Sequence, residues 1–224
     1  MDPIFSILLP THSRPDVISY AIASVLRQRE ANFELLVVGD GATEQTARVV
    51  TSFSDERVKW FDMQKASGFG YANRNRVLAA ARGRYVSFMS DDDLLFSDHL
   101  SRLRKRLDEG AVLACTRAAW VSTDGIAAPF PVSLQMPDEL WHFLNRANVA
   151  PSSCFGYRRE VLEGGPPLQE DLEVAADWFL WRRLLAENPT KPLGADSGFT
   201  VMHFAAKRKA SLNSRTKCNT PDLI

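Results

Sequence analysis

The chain has 224 residues, 45% of them hydrophobic and 24% charged, with 27 basic and 27 acidic side chains and no net charge. That is enough chain for one large domain with a real core, and the charge balance argues against holding nucleic acid by bulk electrostatics. The three cysteines, Cys115, Cys154 and Cys218, form no C-x-x-C pair, so a zinc ribbon or disulfide framework is not expected and a reducing compartment fits.

In chain order, "IFSILLP" is a short apolar run ended by proline, the pattern of a buried strand. "DVISYAIASVLRQ" places Val17, Ala21 and Val25 beside Ile18, Ile22 and Leu26, an amphipathic helix. "FELLVVGDG" predicts a second buried strand ending in a turn, "EQTARVVTSF" a helix and "RVKWFD" a third strand. "YANRNRVLAAARG" predicts a helix stopped by Gly83, and "RYVSFMS" a fourth strand running into Asp91, Asp92 and Asp93. "SDHLSRLRKRLDEG" carries Leu100, Leu103 and Leu107 on one helical face. The later part is less regular. It has strand in "AVLACTRAAWVSTDG", a helix at "DELWHFLNRA", a strand and turn in "SSCFGYRREVL", a strong helix at "AADWFLWRRLLAEN" and a last strand at "GFTVMHF". Neither the start, "MDPIFSILLPTHSRP", nor any apolar run reads as a signal peptide or membrane span, so a soluble, cytoplasmic protein is expected.

Alternating strands and helices over residues 4–110 imply a mostly parallel sheet with helices on both faces, a Rossmann-like α/β single domain. Ligands of such sheets sit at the carboxyl ends of the strands. That rule gathers Pro10, Thr11 and His12, the turn around Asp40, the loop before Tyr71, and the acidic triplet. Three adjacent carboxylates repel one another. Because strand residues alternate in direction, two of them can flank a hard cation such as Mg²⁺ or Mn²⁺.

The ordered set "FSILLPTHSRPDVISYAIASVLRQ", "FELLVVGDGATEQT", "RNRVLAAARGRYVSFMSDDDLL" and "ADWFLWRRLL" resembles glycosyltransferase family 2, with the GT-A fold. The pattern is nearest to the spore-coat polysaccharide member of that family. The resemblance implies a metal-dependent inverting transfer of a sugar from a nucleotide diphosphate sugar, UDP- or TDP-linked, to a carbohydrate or glycoconjugate acceptor, in bacterial surface polysaccharide assembly. It implies that Pro10, Thr11 and Arg14 lie by the nucleotide, and that Asp40 contacts the base through its ring N–H. Arg74 and Asn75 would face the nucleotide or diphosphate and Asp91 the ribose. Asp92, supported by Asp93, would hold Mn²⁺ or Mg²⁺, His203 is a further candidate ligand, and Asp177 would be the general base. The pattern departs from the family where Gly39 stands in place of a first aspartate and Ser90 in place of an acid.

Residues 1–110 are then the nucleotide-sugar-binding half, residues 111–205 the acceptor-binding half of the same domain, and 206–224 a flexible tail. The plainer readings stand beside these. Asp177 is also suited to capping its helix, His203 to a half-buried strand position, and Trp178 to helix packing as much as to an acceptor wall. A nicotinamide dehydrogenase lacks its G-x-G-x-x-G after strand one, and a nucleotidyltransferase lacks its glycine-rich basic loop there. A non-catalytic nucleotide-sugar-binding module is the remaining alternative.

Overall fold

The computed structural model describes residues 2–121, 125, 127–129, 132–162 and 165–204. The expected tail, 206–224, lies outside the described residues.

The first half alternates as its hydrophobic patterning requires. Strand β1 (Phe5–Thr11) is followed by α1 (Pro15–Leu26), β2 (Phe33–Asp40), α2 (Glu44–Thr51), β3 (Val58–Met63), α3 (Tyr71–Leu78) and β4 (Tyr85–Phe88). β1, β2 and β4 are buried nearly throughout, as unbroken apolar strands covered on both faces must be. α1 starts at Pro15, whose missing N–H costs nothing in a first turn. α2 is capped by Thr43, whose hydroxyl accepts from the Thr46 N–H. α3 ends at Leu78, ahead of the expected Gly83. The amides of Ala80 and Ala81 bond three residues back, to Val77 and Leu78, which tightens the last turn out of the α-helix.

The second half contributes the two-residue β5 (Leu94–Leu95), α4 (His99–Asp108), β6 (Leu113–Val121), β7 (Ala127–Pro129), α5 (Pro137–Asn145), β8 (Phe155–Arg158), α6 (Ala176–Glu187) and β9 (Leu193–Phe204). The sheet runs β3-β2-β1-β4-β8-β6-β9-β5, with β7 paired to β6. The strands β3, β2, β1 and β4 are mutually parallel, as expected. β8 then joins β4 antiparallel, β6 joins β8 antiparallel, and only β6 with β9 is again parallel. The last strand begins at Leu193, ahead of the predicted "GFTVMHF".

Under the junction of the halves lies an aromatic cluster. Trp181 is fully buried, stacked on Phe155 at 5.0 Å and edge-on to Phe88 at 5.3 Å. It ties α6 to β4 and β8, and so fixes where the start of α6 sits relative to the end of β4. Among the described residues no helix is long and apolar enough to cross a membrane.

Candidate active site

β1, β2 and β4 end side by side, because Thr11 is in register with Gly39 and Leu8 with Phe88. Their carboxyl ends open into a crevice of about 350 Å³ lined by Pro10, Thr11, His12, Arg14, Asp40, Lys65, Phe69, Arg74 and Asp91 among others. Of the seven residues expected from sequence to meet a nucleotide, Pro10, Thr11, Arg14, Asp40, Arg74 and Asp91 line it and Asn75 does not. A larger depression, of about 870 Å³, lies at the other end of the strands, ringed by Arg76, Arg82, Arg84 and Arg159. It contains none of the acidic triplet.

Asp91 is buried, accepts the Thr11 hydroxyl at 2.7 Å, and lies 3.5 Å from the Arg14 guanidinium. Burial raises its pKa, against the opposing pull of Thr11 and Arg14. Arg14 also donates to Asp92, which is partly exposed. Burial works against the Arg14 charge, but Asp91 and Asp92 outweigh it and its pKa is raised. A single arginine thus offsets much of the repulsion between these two neighbours.

Asp93 points the other way. It is fully buried, with one oxygen accepting the Ser153 hydroxyl at 2.6 Å and the other 2.8 Å from His203 Nδ1. Two oxygens already engaged make Asp93 a support for His203 rather than a group presented to the crevice. The Asp93 hydrogen bond raises the His203 pKa despite partial burial. The sequence placed the three carboxylates at one strand end; β4 stops at Phe88, and the turn that follows it, not strand alternation, sets their separate directions.

Asp40 closes the other wall. Its Oδ1 accepts the Ala66 N–H at 2.8 Å and the Asn73 amide at 2.7 Å, and its Oδ2 accepts Lys65 Nζ at 2.5 Å. Burial opposes the charge, but these donors outweigh it and lower the pKa. His12 is fixed at the mouth through Nδ1, 2.7 Å from the Asp40 carbonyl oxygen. Lys65 was not singled out from sequence. It follows a strand in a polar loop, and nothing local distinguishes it from a solvated lysine.

The missing acid at Gly39 has a steric cause. A Cβ there would lie 2.3 Å from the Trp60 ring on the adjacent strand, so the indole occupies the space of a side chain.

α3 carries Arg74 and Asn75, and only Arg74 enters the crevice. Consecutive helical residues are ~100° apart. The Asn75 amide is instead bonded to the Leu168 carbonyl at 2.7 Å, the Leu168 N–H at 3.0 Å and Glu170 at 2.9 Å, and Asn75 borders the opposite depression. Its expected place by the nucleotide is therefore not where the side chain lies. Arg74 donates to the Phe69 carbonyl at 2.8 Å and lies 5.1 Å over the Tyr71 ring, while its buried Nε has no partner. No ion pair holds it among the described residues. Burial lowers its pKa against the opposing influence of Tyr71, Asp177, Asp40 and Asp91. It is a half-buried cation lining an open crevice, which suits an anion.

Asp177 lies in the first turn of α6, inside the helix rather than at its cap, which is Ala175. Burial raises its pKa, opposed by the Trp178 N–H, the Arg74 charge and the Ser152 hydroxyl. A carboxyl whose pKa is raised is a better proton acceptor once ionised. Trp178 is buried with Nε1 donating to the Phe143 carbonyl at 2.7 Å, so it packs the α5–α6 contact and is no acceptor wall.

The sequence model of Glycosyl transferase family 2 matches residues 6–165, more than half of the chain. An Escherichia coli UDP-Glc:alpha-D-GlcNAc-diphosphoundecaprenol beta-1,3-glucosyltransferase, WfgD, is 38% identical over 99 residues, covering 44% of this chain and 39% of its own. The putative teichuronic acid biosynthesis glycosyltransferase TuaG of Bacillus subtilis is 28% identical over 141 residues, covering 62% of this chain and 55% of its own. The chain thus spans about half the length of these relatives, or less. Among solved structures, S. aureus TarS in complex with UDP-GlcNAc superposes with a TM-score of 0.67 at 20% identity, over 91% of this chain and 59% of that one. The mannosyltransferase PcManGT from Pyrobaculum calidifontis, in complex with GDP-Man and Mn²⁺, gives 0.69 at 16% identity, over 93% and 59%. The chain belongs to glycosyltransferase family 2 and has the GT-A fold.

Proposed function

We propose that this chain carries the donor-binding and base-bearing centre of an inverting glycosyltransferase that uses a UDP- or TDP-sugar. The observation that carries this reading is the half-buried Arg74, with no ion pair among the described residues, its charge felt by the nucleotide-side carboxylates Asp40 and Asp91 and by the half-buried Asp177. Asp40 would accept the ring N–H of uracil or thymine, Thr11 and Asp91 would meet the ribose, and Arg74, with Arg14, would face the diphosphate. The sugar C1–O bond to the diphosphate breaks as the acceptor oxygen bonds C1 from the opposite face, which inverts that carbon. The hydroxyl proton passes to Asp177, and Arg74 stabilises the charge that develops on the leaving diphosphate.

A divalent cation fits the donor set in part. Among the described residues no three His, Cys, Asp or Glu side chains are grouped to hold one. Asp92 is partly exposed, and His203 has its Nδ1 turned to Asp93, an arrangement that orients the other ring nitrogen outward from that pair. Two such donors suit an Mg²⁺ or Mn²⁺ ion that takes its remaining ligands from diphosphate and water. When bound, the ion would add positive charge at the diphosphate. Arg14 now pairs with Asp92 and would have to yield it.

The relatives' names place WfgD on a diphosphoundecaprenol-linked acceptor and TuaG in teichuronic acid biosynthesis, and a cell-surface polysaccharide acceptor is the corresponding proposal here. Titration calorimetry with UDP, TDP, GDP and ADP, with Mn²⁺ and then with EDTA, tests the donor side. A pyrimidine diphosphate binds and loses affinity in EDTA; failure of all four to bind would end the reading. Asp177→Asn lowers turnover by about 10²–10⁴ with UDP binding retained. An inactive parent that still binds UDP would favour a binding module, a reading to which the engaged Asp92 and Asp93 lend support.

A further inference from the structure

α6 starts without a side-chain cap, and Ala175 before it is the one non-glycine residue in the left-handed region among those described, at φ 63°. The first N–H groups of a helix need acceptors from outside it. Here the acceptor comes from α3. The Tyr71 hydroxyl oxygen accepts the Ala176 N–H at 3.4 Å. Tyr71 is buried, and the face of its ring lies under Arg74, 5.1 Å from the guanidinium carbon.

One residue therefore touches both halves of the proposed reaction. Its ring supports the arginine assigned to the diphosphate, and its oxygen holds the turn that delivers Asp177. We propose that Tyr71 is a positioning residue that caps α6 from α3 and fixes Asp177 relative to Arg74. The inference rests on the reading of Asp177 as base. It requires no contact between Tyr71 and substrate. The oxygen of the buried Tyr71, accepting from the first amide of another helix, satisfies a donor that α6 leaves open, and its removal frees the turn at Ala175 to relax.

The test is a double-mutant cycle of Tyr71→Phe and Asp177→Asn, read by UDP affinity in Mn²⁺ and by release of UDP from UDP-glucose or UDP-GlcNAc, whichever the parent turns over. Tyr71→Phe keeps the ring under Arg74 and removes the oxygen. Its UDP affinity stays within twofold of the parent, its kcat falls about tenfold or more, and KM for the donor changes little. In the Asp177→Asn background the same substitution has no further effect, because the group it positions is gone. A kcat within twofold of the parent, or an equal loss in both backgrounds, overturns the inference. If Asp177→Asn itself leaves turnover intact, the base assignment fails instead, and the two failures are distinct. Should Tyr71→Phe lose UDP binding while keeping the parent's circular dichroism and melting temperature, the oxygen serves the nucleotide side and the inference is overturned.

Discussion

Glu34 offers a sharp test of the scaffold under the crevice. It is buried near the start of β2, and its carboxylate gathers groups from three other segments. Oε1 accepts the Ser6 hydroxyl at 2.6 Å and the Arg82 N–H at 2.7 Å, and Oε2 accepts Lys59 Nζ at 2.6 Å. Ser6 in turn accepts the Gly83 N–H at 2.8 Å. Burial opposes the charge, but Lys59, Ser6 and Arg82 outweigh it and bring the pKa from 4.5 to about 2. At ~1.4 kcal/mol per unit the shift corresponds to about 3 kcal/mol. The folded-state pKa is depressed, so this contribution is present above pH 4.5 and is lost as the pH falls through about 2. Urea denaturation of the parent and Glu34→Gln, followed by circular dichroism at pH 7, 4.5 and 3, reads it directly. The stability difference narrows between pH 7 and pH 3 by roughly 2 kcal/mol, with little of that change above pH 4.5. Other carboxylates titrate in both proteins and cancel. A difference that stays constant with pH would refute the reasoning, whatever its size.

Gly39→Asp, which would restore the family's acid, destabilises by about 2 kcal/mol or more, because its Cβ meets the Trp60 ring. In a Trp60→Ala background the added cost largely disappears; equal costs in both backgrounds, measured by thermal melts, would remove Trp60 as the cause. Ala175→Gly relieves the left-handed backbone at φ 63° and raises stability by roughly 0.5–1 kcal/mol, visible as a higher Tm. An unchanged or lower Tm would show that the turn stores no strain. The kcat profile of the active protein loses activity on its acid side above the usual aspartate range, since burial raises the Asp177 pKa and the base must be ionised; an acid limb at an ordinary aspartate pKa would argue for another base.

Strand and helix positions in the first half were legible because each is a local property. β1, β2 and β4 are unbroken apolar runs, and α1 and α4 repeat their apolar residues every three to four positions. Continuous apolar strands alternating with helices leave little choice but a parallel sheet, and a parallel sheet has its ligands at one end. From that alone Thr11, Asp40 and Asp91 fall at one crevice, where the structure has them. The antiparallel β8 and the long β9 were less legible, since a short apolar strand does not declare its neighbour.

What tertiary structure alone decided is the direction of side chains and the identity of their partners. Arg74 and Asn75 are adjacent in sequence, yet one enters the crevice and the other is bonded to the loop at Leu168. Asp92 and Asp93 part in the same way, one to Arg14 and one to His203 and Ser153. Lys65 on Asp40 and Tyr71 at the start of α6 are pairings across 25 and 105 positions. Periodicity records which face of an element is apolar and where each element starts and stops. It carries no information on which polar group from a distant segment will stand opposite, because that is fixed only when the whole sheet has assembled and its buried donors and acceptors must find one another.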